Sequence, residues 1–428
     1  MKTYLVGGAV RDSLLGIPGS DQDFVVTGAT IREMLDLGFQ QVGKSFPVFL
    51  HPQTKCEYAL ARTERKDGHG YTGFCFDFSP EITLEEDLKR RDLTINAMAQ
   101  DENGTIIDPW GGREDLQNRI IRHVSDSFGE DPLRVLRTAR FAARFAPLGF
   151  TVAPETLKLM REIAASGELQ YLTPERIFRE FEKVLQEGWI DVFIKVLREC
   201  SALKILFPEM DNLYGIPARK YWHPEVDTGI HMELALHYAS THNFTPVEKA
   251  AVFCHDFGKA LSDPALLPSH HGHGRKGIAL IRQFAQRLKI PNEYRDAAIL
   301  VAGEHSFVHT ALNRTPGELL DLLHRIDAFR RPEHLTILMN CALADIRGRL
   351  GFENIQYCHA DLIRDLFGKM QLITSKQVAA DGFTGQEIRQ ELYKRRLTAA
   401  EEFKKNWIKE HAEEVENERK EDPEFKRK

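Results

Sequence analysis

Hydrophobic positions along this chain change their rhythm near residue 130. Before it, short β-rich pieces (YLVGG at 4–8, DFVVT at 23–27, FPVFL at 46–50 and CEYALAR at 56–62) alternate with helical ones, which predicts a small mixed sheet flanked by helices. After it, apolar residues recur at spacings of three and four. Glu155–Ala165, Glu175–Gln186, Val192–Leu203, Met232–Ser240, Pro246–Phe253, Gly277–Leu288 and Pro316–Ala328 carry that spacing, with Pro, Gly or Asn between them, so a wholly helical remainder is expected. The fold class is α+β: a mixed-sheet head over 1–140, then helical segments over 141–222, 223–350 and 351–428. No internal repeat is visible. In the last 30 residues, rich in Glu, Lys and Arg, apolar spacing lapses after Trp407, predicting a solvated helix that frays into a disordered end.

The chemistry is densest at 7–23, GGAVRDSLLGIPGSDQD. Tyr4-Leu5-Val6 reads as a buried strand, and Gly7-Gly8 lets backbone approach a triphosphate at the start of the helix AVRDSLLG, with Arg11 as a fixed positive charge. If DQDFVVT is a strand, Asp21 and Asp23 face the same way, as two carboxylates sharing magnesium must. Either piece alone is equally a glycine turn or a surface Asp-x-Asp loop; their order and closeness favour a phosphate cradle beside a metal site. Further on, EDPLRVLRTARFAAR sets Arg134, Arg137, Arg140 and Arg144 in one stripe of a helix, opposite Val135, Leu136, Ala139, Ala142 and Ala143. Such a stripe is often only a solvated face. Asp131 and Arg134, however, offer an acceptor and donors in a plane, the set that reads the pairing edge of cytosine or adenine.

Composition narrows the class. With 428 residues and 42% apolar content the chain can bury more than one core, and its net charge of −6 confines any RNA binding to local basic patches. Six cysteines (56, 75, 200, 254, 341 and 358) show no CxxC spacing, which fits reduced thiols in a cytoplasmic protein. The chain enters directly into a strand without a leader and has no run long enough to span a membrane, so a cytoplasmic location is expected.

Gly7-Gly8-Ala9-Val10-Arg11-Asp12 followed by Asp21-Gln22-Asp23 is similar to the signature of class II tRNA nucleotidyltransferases, the CCA-adding enzymes and their poly(A) polymerase relatives. RRDLTINA (90–97), EDPLRVLRTAR (130–140) and TPERIFREFEKVL (173–185) resemble that family's later motifs, in order. The resemblance implies a polymerase-β-like head over 1–140, a neck and body over 141–222 that grip the acceptor arm, and CCA addition to tRNA from CTP and ATP. By the same resemblance Asp21 and Asp23 hold Mg²⁺, with Glu57 as a third carboxylate on a neighbouring strand. Gly8, Arg11 and Arg91 serve the triphosphate, Asp92 the ribose, Asn96 braces the loop, Asp131 and Arg134 read the base, and Arg137 and Arg140 hold phosphates. Gly68–Gly73 reads as a mobile loop near the site.

From Tyr221 onward the chain resembles the HD-domain extension of the gamma-proteobacterial type of CCA-adding enzyme. A His-Asp pair arises by chance in a chain with seventeen histidines, but His231, His255-Asp256 and Asp345 follow the order of the HD phosphohydrolases. That resemblance implies a divalent-metal centre, with Mg²⁺ or Ni²⁺, and phosphatase, 2′-nucleotidase and 2′,3′-cyclic phosphodiesterase activity over 223–350. Lys259 and His305 are auxiliary, and His270, His271 and His273 add imidazoles for a second metal or a phosphate. A structural HD domain on a tRNA-binding protein and a poly(A) polymerase remain alternatives. A monomer or a homodimer fits equally.

Overall fold

The computed structural model describes residues 1–19, 21–42, 47–66, 74–220 and 223–421, excepting the side chains of 64–66, 74–76 and 419–421. The glycine-rich 68–73 stretch therefore lies outside the described residues. Two compact units form, one of Met1–Gly188 with Val192–Leu206 and one of Trp189–Asp191 with Phe207–Lys428.

Among the described residues the first unit begins with nine strands: β1 (Lys2–Val6), β2 (Asp23–Thr27), β3 (Gln40–Val42), β4 (Val48–Leu50), β5 (Glu57–Leu60), β6 (Thr63–Lys66), β7 (Phe74–Asp77), β8 (Ala99–Gln100) and β9 (Ile106–Ile107). Seven make one sheet in the order β3-β4-β5-β2-β1-β8-β9, and β6 pairs with β7 apart from it. All four β-rich pieces read from the sequence are strands. Strand β1 runs antiparallel to β2 with Val6 opposite Asp23, while β5 runs parallel to β2 with Glu57 opposite Asp23. That register brings the Gly-Gly turn, Asp23 and Glu57 to one end of three adjacent strands. Val6 and Val25 are buried with Leu88, Ala97 and Ala99, and Val26 and Leu60 with Met34 and Phe49. Full burial of a side chain of this size contributes about 1.5–3 kcal/mol, so this core fixes the sheet that carries the carboxylates.

Beyond the sheet, the helix Leu133–Phe145 packs against the helix Pro174–Glu187. Val135, Leu136, Ala139, Ala142 and Ala143 are all buried, as the pattern predicts. The arginine stripe is no solvated face, however, since Arg134 and Arg140 are buried too.

The second unit is helical. Helices Thr228–Thr241, Pro246–Cys254, His273–Leu288, Asn292–Val308 and Pro332–Arg347 pack on one another. Their starts are written in the sequence: Asp227 caps the first, and Thr245 and Glu248 form a reciprocal capping box with Pro246 at the opening turn of the second. The tail is helical, as expected, but less solvated than its composition suggests, and its end at 422–428 lies outside the described residues. Helices Gln386–Glu410 and Ala412–Glu421 follow, Trp407 is buried with its Nε1 donating to Asp365 Oδ2 at 2.8 Å, and Val415 and Glu418 are buried as well. A few well-spaced anchors dock this charged helix, and too few apolar residues surround them to show as a period. Among the described residues no helix is long and apolar enough to cross a membrane, and Cys56, Cys200, Cys254, Cys341 and Cys358 are free thiols.

Candidate active site and metal centre

In the first unit a cavity of about 880 Å³ is lined by Gly8, Arg11, Asp23, Glu57, Arg91, Asp92, Asp131, Arg134, Arg137 and Arg140. Asp21 is exposed and precedes β2 rather than belonging to it, so the shared strand face expected for Asp21 and Asp23 is not formed. Strand pairing begins only where Asp23 meets Val6 and Glu57. Asp21 still acts on Asp23 through space. Partial burial and the neighbouring Glu57 carboxylate push Asp23 above the usual carboxylate range, with Arg91 opposing. Carboxylates crowded in this way fit a divalent cation, whose charge would relieve their repulsion.

Gly7 has φ 69°, and a Cβ there would stand 2.9 Å from the Arg91 guanidinium, so the turn needs glycine and glycine lets Arg91 reach the site. Arg11 is fixed as expected: its Nε donates to Asp12 Oδ1 at 2.7 Å, a terminal nitrogen to Asn96 Oδ1, and its guanidinium lies over the rings of Phe141 and Phe145. Arg91 donates to Asp87 and to the Asn96 carbonyl, leaving a buried Nε with no hydrogen bond. Asp92 accepts from the Leu93 backbone and from Asn96 on Oδ1, and from Arg137 Nε on Oδ2 at 2.7 Å. Although burial opposes ionisation, Arg137, Asn96 and Arg134 hold Asp92 well below the usual range. Asn96 therefore braces the loop by joining Arg11 to Asp92.

Asp131 and Arg134, expected to read the base, are held by both near and distant partners. Asp131 Oδ1 accepts the Leu133 backbone N–H and Oδ2 an Arg176 guanidinium nitrogen at 2.8 Å, while Arg134 donates to the carbonyls of Ser127 (2.7 Å) and Arg90 (2.6 Å). Arg137 and Arg140, expected on phosphates, line the cavity but pair with carboxylates, Arg137 with Asp92 and Arg140 with Glu180 at 2.6 Å. Glu180 and Arg176 were not singled out from the sequence as site residues, since nothing marks a carboxylate or arginine whose partner lies tens of positions away. Glu180→Ala strips buried Arg140 of this partner, leaving the half-exposed Glu187 at 3.9 Å and the more remote charge of Asp92. Urea unfolding should report a loss of about 3 kcal/mol, and an unchanged midpoint would refute the pairing.

In the second unit His231, His255, Asp256 and Asp345 converge as expected. His231 Nε2 is 3.1 Å from Asp345 Oδ1 and 4.0 Å from Asp256 Oδ2, and His255 Nε2 is 3.4 Å from Asp256 Oδ2 and 4.0 Å from Asp345 Oδ2. Both Nε2 atoms are buried and in no hydrogen-bond geometry. Neighbouring ligands on metal bonds of about 2.1 Å lie roughly 3 Å apart, so this spacing fits one divalent cation.

A second group shares Asp256 through its other oxygen: Oδ1 is 3.2 Å from His273 Nε2 and 3.8 Å from His305 Nε2, and these two nitrogens are 3.1 Å apart. His231, His255 and Asp345 hold ligand atoms within 4.8 Å of one another, and so do Asp256, His273 and His305, close enough in each case for a metal ion. The tautomers agree with that use. His255, His273 and His305 place Nδ1 within 3.0 Å of the carbonyls of Val252, His270 and Val301, so Nδ1–H donates and Nε2 keeps its lone pair. Glu225 Oε1 stands 3.1 Å from His231 Nδ1, outside hydrogen-bond geometry, and places a carboxylate behind that ring.

Burial opposes ionisation of Asp256 and Asp345, yet both are held well below the usual range, Asp256 by Lys259 and His255, Asp345 by Arg349 and His309. Burial keeps His305 well below its ordinary value, with His255 and His273 adding to it, whereas the Asp256 and Asp345 carboxylates raise His255 against burial. Lys259 Nζ stands 2.6 Å from Asp256 Oδ2.

The other two imidazoles do not join. His270 bonds to Ser262 Oγ and the Pro217 carbonyl, and His271 is exposed. Gly258 explains how the HDFGK turn meets His273, since a Cβ there would lie 1.9 Å from the His273 carbonyl oxygen. Glu225, His309, Tyr357 and Arg349 were not read from the sequence. His309 Nε2 lies 2.7 Å from Asp345 Oδ2, its Nδ1 2.6 Å from the Tyr357 hydroxyl, and Arg349 donates to Asp345 Oδ1 at 2.9 Å.

Residues 3–122 match the family described as "Poly A polymerase head domain" and residues 149–214 the one described as "Probable RNA and SrmB- binding site of polymerase A". Among solved structures, the chain is similar to the Bacillus stearothermophilus CCA-adding enzyme in complex with CTP, at 25% identity over 97% of this chain and 94% of that one, with TM-score 0.55. It is also similar to the Thermotoga maritima CCA-adding enzyme complexed with tRNA, at 20% identity over 96% and 91% and TM-score 0.60. A CCA-adding enzyme with ATP gives 20% identity over 96% and 90% and TM-score 0.61. The mixed-sheet head followed by a helical body is the fold of these enzymes.

Proposed function

We propose that the first unit adds the CCA end to tRNA from CTP and ATP, releasing pyrophosphate. The observation that carries this reading is the single cavity in which Asp23 and Glu57, arginines able to meet a triphosphate, and the Asp131–Arg134 pair all converge. Asp21, Asp23 and Glu57 would hold Mg²⁺, which when bound lowers the pKa of the tRNA terminal hydroxyl and neutralises the leaving pyrophosphate. Arg11 and Arg91 stand at the Gly-Gly turn as cations for the triphosphate. Asp92, fixed by Asn96 and Arg137, offers its carboxylate to the ribose. Asp131 and Arg134 present an acceptor and donors to the base edge, and the bonds that now engage them must be shared or exchanged when a base arrives.

Arg176 makes that exchange measurable. Arg176→Ala removes a charge-assisted bond at a partly exposed site, about 1–2 kcal/mol, so kcat/KM for CTP and ATP should fall roughly tenfold while tRNA affinity stays within about twofold. A fall in tRNA affinity alone would assign Arg176 to the RNA instead.

The second unit is proposed to hydrolyse phosphate esters left at RNA ends, as a phosphatase, 2′-nucleotidase and 2′,3′-cyclic phosphodiesterase. His231, His255, Asp256 and Asp345 would hold Mg²⁺ or Ni²⁺, and Asp256, His273 and His305 a second ion, to activate the attacking water. Water's oxygen forms the new P–O bond, and the ester oxygen leaves with a proton as the ribose hydroxyl. Buried Lys259 supplies positive charge beside Asp256.

Because the matched families carry polymerase A descriptions, poly(A) synthesis is the second reading. Incubating the protein with tRNA transcripts lacking CA or CCA, with CTP and ATP separately and together, and sequencing the 3′ ends decides between them. Ends completed to CCA and no further support CCA addition; A-tails grown from ATP alone support the alternative.

A further inference from the structure

Beside the histidine–aspartate cluster lies a cavity of about 330 Å³, at the small end of ligand pockets, which run roughly 300–1,000 Å³. His273, His305, Lys259 and Asp345 line part of it, and Ile346, Phe352 and Ile355 another part. A metal centre handling phosphate alone has no use for an apolar shelf. The shelf is nonetheless built firmly. From Asp345 the chain completes its helix at Arg347 and turns twice, with Phe352 N–H donating to the Arg349 carbonyl at 3.0 Å and Ile355 N–H to the Phe352 carbonyl at 3.1 Å. Arg347 then clamps the segment, giving two hydrogen bonds to the Ile355 carbonyl and one to the Tyr238 hydroxyl. Phe352 and Ile355 are thus held three residues apart, a turn beyond a cluster aspartate, and both stay partly exposed to the cavity.

We infer that this shelf seats the nucleobase of the ester that the cluster hydrolyses, so that Phe352 and Ile355 determine its specificity for a terminal nucleotide. The inference rests on the hydrolase reading of the second unit. A base suits the site better than an alkyl chain because the polar side chains of Ser269 and Asn313 share the lining and can meet ring nitrogens and exocyclic groups. Stacking on an aromatic side chain is indifferent to base identity, so the shelf accepts any of the four bases.

The test compares two phosphate esters of secondary alcohols, 2′-AMP with a base and glycerol 2-phosphate without one, on the metal-loaded full chain. Wild type should favour 2′-AMP at least about tenfold in kcat/KM. Phe352→Ala should raise KM for 2′-AMP about tenfold, leaving kcat, bound metal and glycerol 2-phosphate hydrolysis within about twofold; Phe352→Trp should restore the 2′-AMP KM. Equal loss on both substrates, no loss on either, or octyl phosphate outcompeting 2′-AMP in wild type overturns the shelf's role. A wild type that hydrolyses neither ester overturns the hydrolase reading itself, a result distinct from the others.

Discussion

Asp23→Ala is expected to abolish nucleotide addition, by at least about a thousandfold, because loss of a metal-holding carboxylate at the reacting oxygens is worth about 4 kcal/mol or more of transition-state stabilisation. The fold should not suffer. Asp23 sits above the usual carboxylate range because partial burial and Glu57 both disfavour its charge, so at neutral pH the ionised group works against folding. Asp23→Asn, which keeps the shape, should melt no lower than wild type while being equally inactive. Single-turnover incorporation of CTP on a transcript lacking CCA, beside a thermal melt of the same preparation, checks both. Addition within tenfold of wild type would remove Asp23 from the reaction.

His255→Ala and Asp256→Ala should have the second large effect, confined to the other unit. Asp256 offers each of its oxygens to a different pair of histidines, so its loss undoes both candidate metal positions, and hydrolysis of 2′,3′-cyclic AMP should fall at least about a thousandfold. Bound metal measured after dialysis should fall with it. Stability must be followed in parallel, since Asp256 also faces Lys259 in a fully buried setting and its removal leaves that ammonium uncompensated. Asp256→Asn, which keeps the volume, separates a lost ligand from a collapsed fold. A folded variant that retained metal and hydrolysis would make the cluster structural.

Much of this was legible in the sequence wherever one residue's neighbours suffice to explain it. The four β-rich pieces became strands because enrichment in β-branched and aromatic residues is a local signal, and Glu57 fell beside Asp23 because parallel pairing of β2 with β5 sets them in register. The Asp21–Asp23 geometry misled, since alternation holds only inside a strand and pairing starts at Asp23. Helix Asn292–Val308 escaped because buried Ala297, Ala298, Val301, Ala302, His305 and Val308 belong to a helix packed between others, with little polar face to set a period. The ion pairs of Arg140 with Glu180 and Asp131 with Arg176 join positions 40 and 45 residues apart, and only tertiary packing reveals them. His309 and Glu225 likewise show their parts only once Asp345 and His231 stand beside them.

One measurement bears most directly on a chain with two separate chemistries: a tRNA lacking CCA and ending in a 2′,3′-cyclic phosphate, incubated with CTP and ATP and sequenced at its 3′ end. Wild type should unblock the end and rebuild CCA. Asp23→Ala should leave it unblocked and unextended, and Asp256→Ala should leave it blocked while still extending a 3′-hydroxyl transcript. Extension of the blocked tRNA by Asp256→Ala, or of any transcript by Asp23→Ala, would contradict the assignment of the two sites.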